Sequence, residues 1–235
     1  MTKGRLFLFP HQIGETPFEQ SLVASQSVYM GKITHYICEH AKSLRALLKF
    51  CGIPSPYDHL WIRELNKHTT DEEKFGFLEP ALKGNDIGLC SDAGCPGMAD
   101  PGAEIVALAH EQGIEVFPLV GPSSFLLCLM GSGFNGQRFS FRGYLSPKRN
   151  DLVRDLRGIE AESRKNKESV FWIETPYRNQ SLWSTALEIL HPTTRLCLGY
   201  GLQHSEQILQ TKTVSDWRST NLKLDKVPAI FGLEA

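Results

Sequence analysis

Short apolar runs alternate with helix-period segments along the first half of the chain, and that alternation restricts the fold more than any other feature. RLFLFP, from Arg5 to Pro10, reads as a buried strand, and PFEQSLVASQSV after Thr16 as a helix. THYICE is a strand and KSLRALLKFCG a helix closed by Gly52. HLWIREL is a strand, DEEKFGFLEPALKGN a helix interrupted at Pro80, and DIGLCSD a strand. In PGAEIVALAHEQG, Asp100 is placed to cap a helix, Pro101 to take its first position and Gly113 to end it. IEVFPLV closes the series. Strands that are apolar throughout are buried on both faces, and strands separated by helices run parallel. The expected fold class is α/β, with a mostly parallel sheet and helices on both of its faces.

After VGPSS the pattern changes. SSFLLCLMGSG reads as an apolar, buried helix, and RFSFRGYL alternates as a half-exposed strand does. A long charged helix follows (NDLVRDLRGIEAESRKNK), then the strand SVFWIET, the helix SLWSTALEIL and the strand TRLCLGYGL. QILQTKTVSDW alternates, and VPAIFGL is the last strand. The expectation is an N-terminal α/β domain over residues 1–118 and a C-terminal mixed-sheet α/β domain over 119–235. A chain of 235 residues with 41% apolar content has material for such cores. Its formal net charge of −1 gives no global footprint for nucleic acid, although a local basic stripe is compatible with it. The six cysteines contain no CxxC pair, which reads as reduced, mostly buried thiols rather than a zinc site or a disulfide framework. GRLFLFP is too short for a signal segment, and no apolar stretch approaches about 20 residues. A soluble, cytoplasmic protein without metal or membrane contact is expected.

Three glycine-bearing loops leave strand ends: PHQIG (Pro10 to Gly14), SDAGCPGMADPG (Ser91 to Gly102) and GPSS (Gly121 to Ser124). In an open parallel sheet, ligands bind beyond the carboxyl ends of the strands. Glycine there lets backbone approach a ligand closely and adopt positive φ. Taken singly, each loop reads equally well as punctuation of a tight turn. No GxGxxG follows the first strand and no GxxxxGK[ST] occurs, so neither a dinucleotide fingerprint nor a P-loop is present. The loops also lack the lysine or arginine a triphosphate needs, which points to a ligand of modest charge.

The run LCSDAGCPGMADPGAEIVALAHEQGIEVFPLVGPSS closely resembles the SDAGxPxxxDPG and PxPGPS motifs of the tetrapyrrole methylase superfamily, and within it the ribosomal RNA small-subunit methyltransferase I branch. The resemblance continues through NGQRFSFRGYLSPK and VFWIETPYR, against the family's DRFxFxGFLPxK and FYESxHR. It implies an S-adenosylmethionine (SAM) enzyme of two α/β domains, usually a homodimer, with the cofactor in a cleft between the domains. Matching positions put Pro10, Gly94, Cys95, Met98, Gly121, Ser123, Ser124, Glu174, Leu202 and Ala229 against that cofactor. The sequence also departs from the branch. PTPIGNL is FPHQIGE here, AEDTR is CEHAK, ELTK is GLQH, and GE near the last strand is VPA, closer to the wider superfamily's PA motif.

The sulfonium methyl of SAM is already activated, so such a site needs no metal and works chiefly by proximity. A ribose hydroxyl acceptor would gain from a general base, and Glu39 and Glu174, each ending a strand, are the catalytic candidates. Asp92 is expected to brace its glycine turn, Asp100 to cap a helix, and His11, His40 and His68 to lie in the cleft or on the surface. Three functions stay open: 2′-O-methylation of ribosomal RNA, methylation of a tetrapyrrole or other small molecule, and SAM binding without catalysis. An RNA acceptor would call on Arg142, Lys148, Arg149, Arg154, Arg157, Arg164, Lys165, Lys167 and Arg178. Interleaved Asp151, Asp155, Glu160 and Glu162 make an ordinary solvated helix the competing reading. The apolar FLLCLM segment offers surface for a homodimer.

Overall fold

A computed structural model describes residues 2–224 and 226–235. The chain divides into two compact units, the first ending at Ser123 and the second beginning at Ser124.

The first unit runs β1 (Arg5–Phe9), α1 (Phe18–Ser21), α2 (Ala24–Met30), β2 (His35–Cys38), α3 (Ala41–Phe50), β3 (Trp61–Glu64), α4 (Asp71–Phe77), α5 (Glu79–Leu82), β4 (Ile87–Cys90), α6 (Gly102–Glu111) and β5 (Glu115–Pro118). Its strands form one sheet in the order β3-β2-β4-β1-β5, every pair parallel. Successive residues serve opposite layers. Phe7, Phe9 and Tyr36 pack with Met30, Leu44, Leu47 and Leu48, whereas Leu6, Ile37 and Ile87 pack with Phe77, Leu78, Ile105 and Ala109. The doubly covered parallel sheet anticipated from the apolar strands is present. Gly88 sits in β4 because a Cβ there would come within 2.7 Å of the Tyr36 ring.

Two local expectations are refined. The helix after Thr16 is in fact α1 and α2, parted at Leu22, whose backbone is extended at φ −129 and ψ 156. Leu22 is buried in the core, and the break lets the fully buried Gln26 of α2 donate to the carbonyl of Pro10 at 2.8 Å. The helix interrupted at Pro80 parts two residues earlier, at Leu78, so that the proline stands in the first turn of α5, where its missing N–H costs nothing.

The second unit runs α7 (Ser124–Ser132), β6 (Phe139–Tyr144), α8 (Arg149–Asn166), β7 (Ser169–Glu174), α9 (Asn179–Ile189), β8 (Arg195–Tyr200), β9 (Ile208–Thr213), α10 (Val214–Arg218) and β10 (Ala229–Glu234). The sheet order is β6-β7-β10-β8-β9, with β6 and β7 parallel and the other pairs antiparallel, the mixed sheet expected of this half. Trp172, Trp183, Trp217 and Phe231 centre the core on one face, and Phe125 of α7 meets Phe171 edge-on at 5.6 Å. The alternating QILQTKTVSDW is a strand only as far as Thr213, whose side chain accepts from the amide of Asp216 at 3.1 Å and starts α10. The apolar α7 is not buried all round: Phe125 and Cys128 face inward, but Met130 is 79% exposed. Among the described residues, no helix is long and apolar enough to cross a membrane.

Candidate functional site

The sheet order sets β1 between β4 and β5, so the three glycine loops leave adjacent strand ends. They are bonded to one another. The amide of His11 donates to the carbonyl of Gly94 at 2.8 Å, and that of Gly94 donates back at 3.0 Å. Gly94 takes φ +71, the left-handed region that lets its backbone turn back toward β1. Gly121 lies so close to Pro10 that a Cβ would run into the proline ring. The thiol of Cys95 is 3.3 Å from the carbonyl of Pro122, and Ser123 Oγ is 3.8 Å from Met98 Sδ. Pro10, Gly94, Cys95, Met98, Gly121 and Ser123 are therefore brought together at one edge.

The groups that hold this edge differ in part from those expected. Asp100 does more than cap α6, because its Oδ1 accepts from Gly97 at 2.8 Å as well as from Gly102 at 2.7 Å. Asp92 does not brace its own turn. Ser91 does so, its hydroxyl donating to the carbonyl of Ala93 at 3.0 Å. Asp92 instead reaches His40, with Oδ2 2.5 Å from Nδ1, and its amide donates to Glu39 Oε1 at 2.9 Å.

The charges follow from these contacts. Burial pushes the Glu39 carboxyl above its ordinary range, helped by the negative charges of Asp92 and Asp100 and opposed by the Asp92 amide. The hydrogen bond to Asp92 raises exposed His40. His11 is buried, and desolvation lowers it. His68 stands apart on an exposed turn, its amide donating to Asn66 Oδ1 at 2.9 Å. Three buried polar atoms on these loops have no protein partner: His11 Nε2, Gln12 Oε1 and Asp92 Oδ1. Such atoms are rare in folded proteins and collect where a ligand or water completes the network. Sequence reasoning missed Gln26, because a glutamine in a helix carries no signal that it will hold a distant proline carbonyl.

In the second unit Glu174, Ala229 and Tyr200 lie side by side across three strands. Leu202 is buried two residues past β8, and the amide of Gly201 donates to the carbonyl of Pro228 at 2.9 Å, joining the GLQH and VPA segments. Ser124 is the first residue of α7. Glu174 is engaged by its own neighbours. Its side chain is buried, Oε1 accepts from the Thr175 amide at 2.7 Å, and Oε2 faces the Arg178 guanidinium at 2.8 Å. These contacts brace the end of β7. Arg178 is correspondingly committed to Glu174. Of the other basic residues, Arg142 pairs with Glu162, Arg149 with Glu188 at 2.7 Å, and Arg154 with Asp151 at 2.8 Å.

Among the described residues no group of three or more histidine, cysteine or acidic side chains could hold a metal ion. All six cysteines are free thiols, and burial pushes Cys38 up to about 12 and Cys51 up to about 11.

No protein-family model matches the sequence. Curated relatives do. The chain is 31% identical over 163 residues to the ribosomal RNA small subunit methyltransferase I of Leptospira biflexa, covering 69% of this chain and 64% of that protein. It is 33% identical over 187 residues to the protein of the same name from Bacillus subtilis, covering 80% of this chain and 60% of that one. The chain thus spans less than two thirds of the length of these relatives. Among solved structures, the methyltransferase CobJ matches with a TM-score of 0.63 at 14% identity, over 98% of this chain and 94% of that one. A uroporphyrin-III C-methyltransferase from Thermus thermophilus, complexed with S-adenosylhomocysteine, matches with a TM-score of 0.59 at 14% identity, over 98% and 97% of the two chains. These likenesses establish the fold. In sequence the chain is similar to ribosomal RNA small subunit methyltransferase I proteins over 69–80% of its length, and its fold is that of these solved methyltransferases.

Proposed function

We propose that the chain is a SAM-dependent methyltransferase whose acceptor is a ribose 2′-hydroxyl of small-subunit ribosomal RNA. The observation that carries this reading is the bonded convergence of three glycine loops on one sheet edge, where buried His11 Nε2, Gln12 Oε1 and Asp92 Oδ1 have no protein partner. The named relatives act on ribosomal RNA, and one matched structure holds the demethylated cofactor.

The residues present fit SAM. The close backbone approach that Gly94 and Gly121 allow, with the Ser123 hydroxyl, suits an adenosine and a zwitterionic amino acid, and Pro10, Cys95 and Met98 supply apolar cover. Ser124, Glu174, Leu202 and Ala229 are further candidates for cofactor binding, from their match to the superfamily's motif positions. When bound, SAM supplies an electrophilic methyl on sulfur. The protein's work is to orient the acceptor oxygen and receive its proton. Glu39 is the base: its raised affinity for protons strengthens it, and the Asp92 amide orients it through Oε1. A small-molecule acceptor is the second reading, favoured by the carboxylates that pair Arg142, Arg149 and Arg154. In either case the protein acts in solution as a homodimer in the cytoplasm.

The test is radiolabelled methyl transfer from SAM to ribosomal RNA purified from cells lacking the gene. Label is expected in the small-subunit RNA as 2′-O-methylnucleoside, and Glu39→Gln is expected to lower turnover at least tenfold, in the usual range for a general base, with SAM affinity unchanged. Transfer to a tetrapyrrole and none to RNA would sustain the second reading. No transfer to either would leave SAM binding alone.

A further inference from the structure

Four of the nine basic residues that the sequence suggested for RNA, Arg142, Arg149, Arg154 and Arg178, are paired with carboxylates in the second unit, and a different basic surface, without such pairs, stands in the first. Helix α3, AKSLRALLKF, carries Lys42, Arg45 and Lys49 and no acidic residue. Its buried face is Leu44, Leu47 and Leu48, which turns the three cations outward, and all three are exposed. Among the described residues none of them is paired with a carboxylate. By contrast, α8 interleaves its basic residues with Asp151, Asp155, Glu160 and Glu162.

Two further observations give the stripe a direction and a partner. It begins at the candidate site: α3 follows Glu39 and His40, and His40 is held 2.5 Å from Asp92 of the SDAG loop. The amide of Ala41 donates to Glu64 Oε1 at 2.7 Å, so the start of α3 is fixed at the edge where the glycine loops meet. From Lys42 to Lys49 the helix rises about 10 Å. Beside its far end runs a shallow groove lined by Arg45, Lys49, Ile53, Pro54 and Tyr57, among others. Cations and an aromatic residue lining one groove are the combination that single-stranded nucleic acid uses, phosphate on the cations and a base against a ring.

We propose that the outer face of α3, from Lys42 to Lys49, binds the phosphate backbone of the acceptor RNA and leads it to the methyl-transfer edge. This rests on the reading that the acceptor is RNA. In a chain of net charge −1, a three-cation helix without a compensating carboxylate is where phosphate contacts gather.

The test compares the parent chain, a Lys42→Ala/Arg45→Ala/Lys49→Ala variant and an Arg149→Ala/Arg154→Ala variant in binding to transcribed small-subunit ribosomal RNA across a salt series. Calorimetry with S-adenosylhomocysteine runs alongside. The α3 variant is expected to bind RNA roughly tenfold or more weakly, with the slope of log K against log salt reduced by about 2 for three lost contacts to single-stranded RNA. Its cofactor affinity is expected to match the parent's. The α8 variant is expected to retain RNA affinity and slope. Should the triple variant unfold, Arg45→Glu alone is expected to weaken binding, and Lys42→Arg/Lys49→Arg to preserve it. Parent-like RNA binding by the folded α3 variant would overturn the proposal while leaving the RNA reading intact. An equal loss in the α8 variant would overturn the assignment to α3. A parent that binds no RNA at low salt would overturn the acceptor reading itself, and with it the stripe.

Discussion

A side chain at Gly94 would find room but not the backbone for it. The nearest atoms to a Cβ are Ile13 Cγ2 at 3.4 Å and the Pro122 carbonyl oxygen at 3.6 Å, ordinary contacts, yet φ is +71. A β-branched residue in that region costs on the order of 1–3 kcal/mol. Gly121 presents the opposite case, a permitted backbone pressed against the Pro10 ring. Gly94→Val is therefore expected to lower the melting temperature modestly and abolish binding of S-adenosylhomocysteine by calorimetry. Gly121→Ala, which must displace Pro10 and loosen its bond from Gln26, is expected to weaken binding through position rather than strain. Unchanged affinity in a folded Gly94→Val protein would reduce the loop to a turn. Asp100 was legible because its partners, Gly97 and Gly102, lie within three residues of it, and the glycines because they mark the loops that leave strand ends. The roles of Asp92, Gln26 and Glu174 were not. Each is set by a partner that only the fold supplies (His40 for Asp92, the Pro10 carbonyl for Gln26) or by the rotamer that turns Glu174 onto Thr175 and Arg178.

At the scale of elements, α3 has no side-chain cap of its own and is anchored by what precedes it. His40 bonds to Asp92, and Glu64 takes the Ala41 amide. The bond to Asp92 raises His40 above the ordinary 6.5, with the charges of Asp92, Glu39 and Glu64 adding to it. A histidine raised in the folded state contributes stability in full below its unfolded value and loses it as pH climbs through the folded value. The melting-temperature deficit of His40→Ala relative to the parent is thus expected to be larger at pH 6 than at pH 9, read by thermal unfolding at both. A deficit identical at the two pH values would remove the ion pair from the anchoring of α3. The same element shows what periodicity can and cannot convey. A leucine face at helical spacing and Gly52 at φ +75 made α3 readable from end to end. The break at Leu22 had no glycine or proline to announce it, and it exists because Leu22 packs into the core. The start of α10 did have a signal, a threonine three residues before an aspartate, hidden beneath an alternating pattern that read as strand.

The two halves differ at the scale of the whole molecule in how openly their sequences declare them. In the first, every strand pair is parallel and the central strands are buried on both faces, so apolar runs and intervening helices leave little choice of architecture. In the second, parallel and antiparallel pairs mix, and only the sheet order tells that Glu174, Ala229 and Tyr200 form one row. The apolar character of α7 also has two outlets there. Phe125 and Cys128 go to the core, whereas Met130 is 79% exposed, with the half-exposed Leu126 one turn before it. Single exposed apolar residues are common, but two on neighbouring turns make a stripe of the kind that covers itself against a partner. A net charge of −1 sets little repulsion against a second copy. Light scattering at micromolar concentration is therefore expected to give the mass of a homodimer. Met130→Lys is expected to shift it toward monomer with little change in melting temperature, because the side chain is mostly in water already. A monomeric parent would sink the dimer outright, and a dimer that survives Met130→Lys would move its interface away from α7.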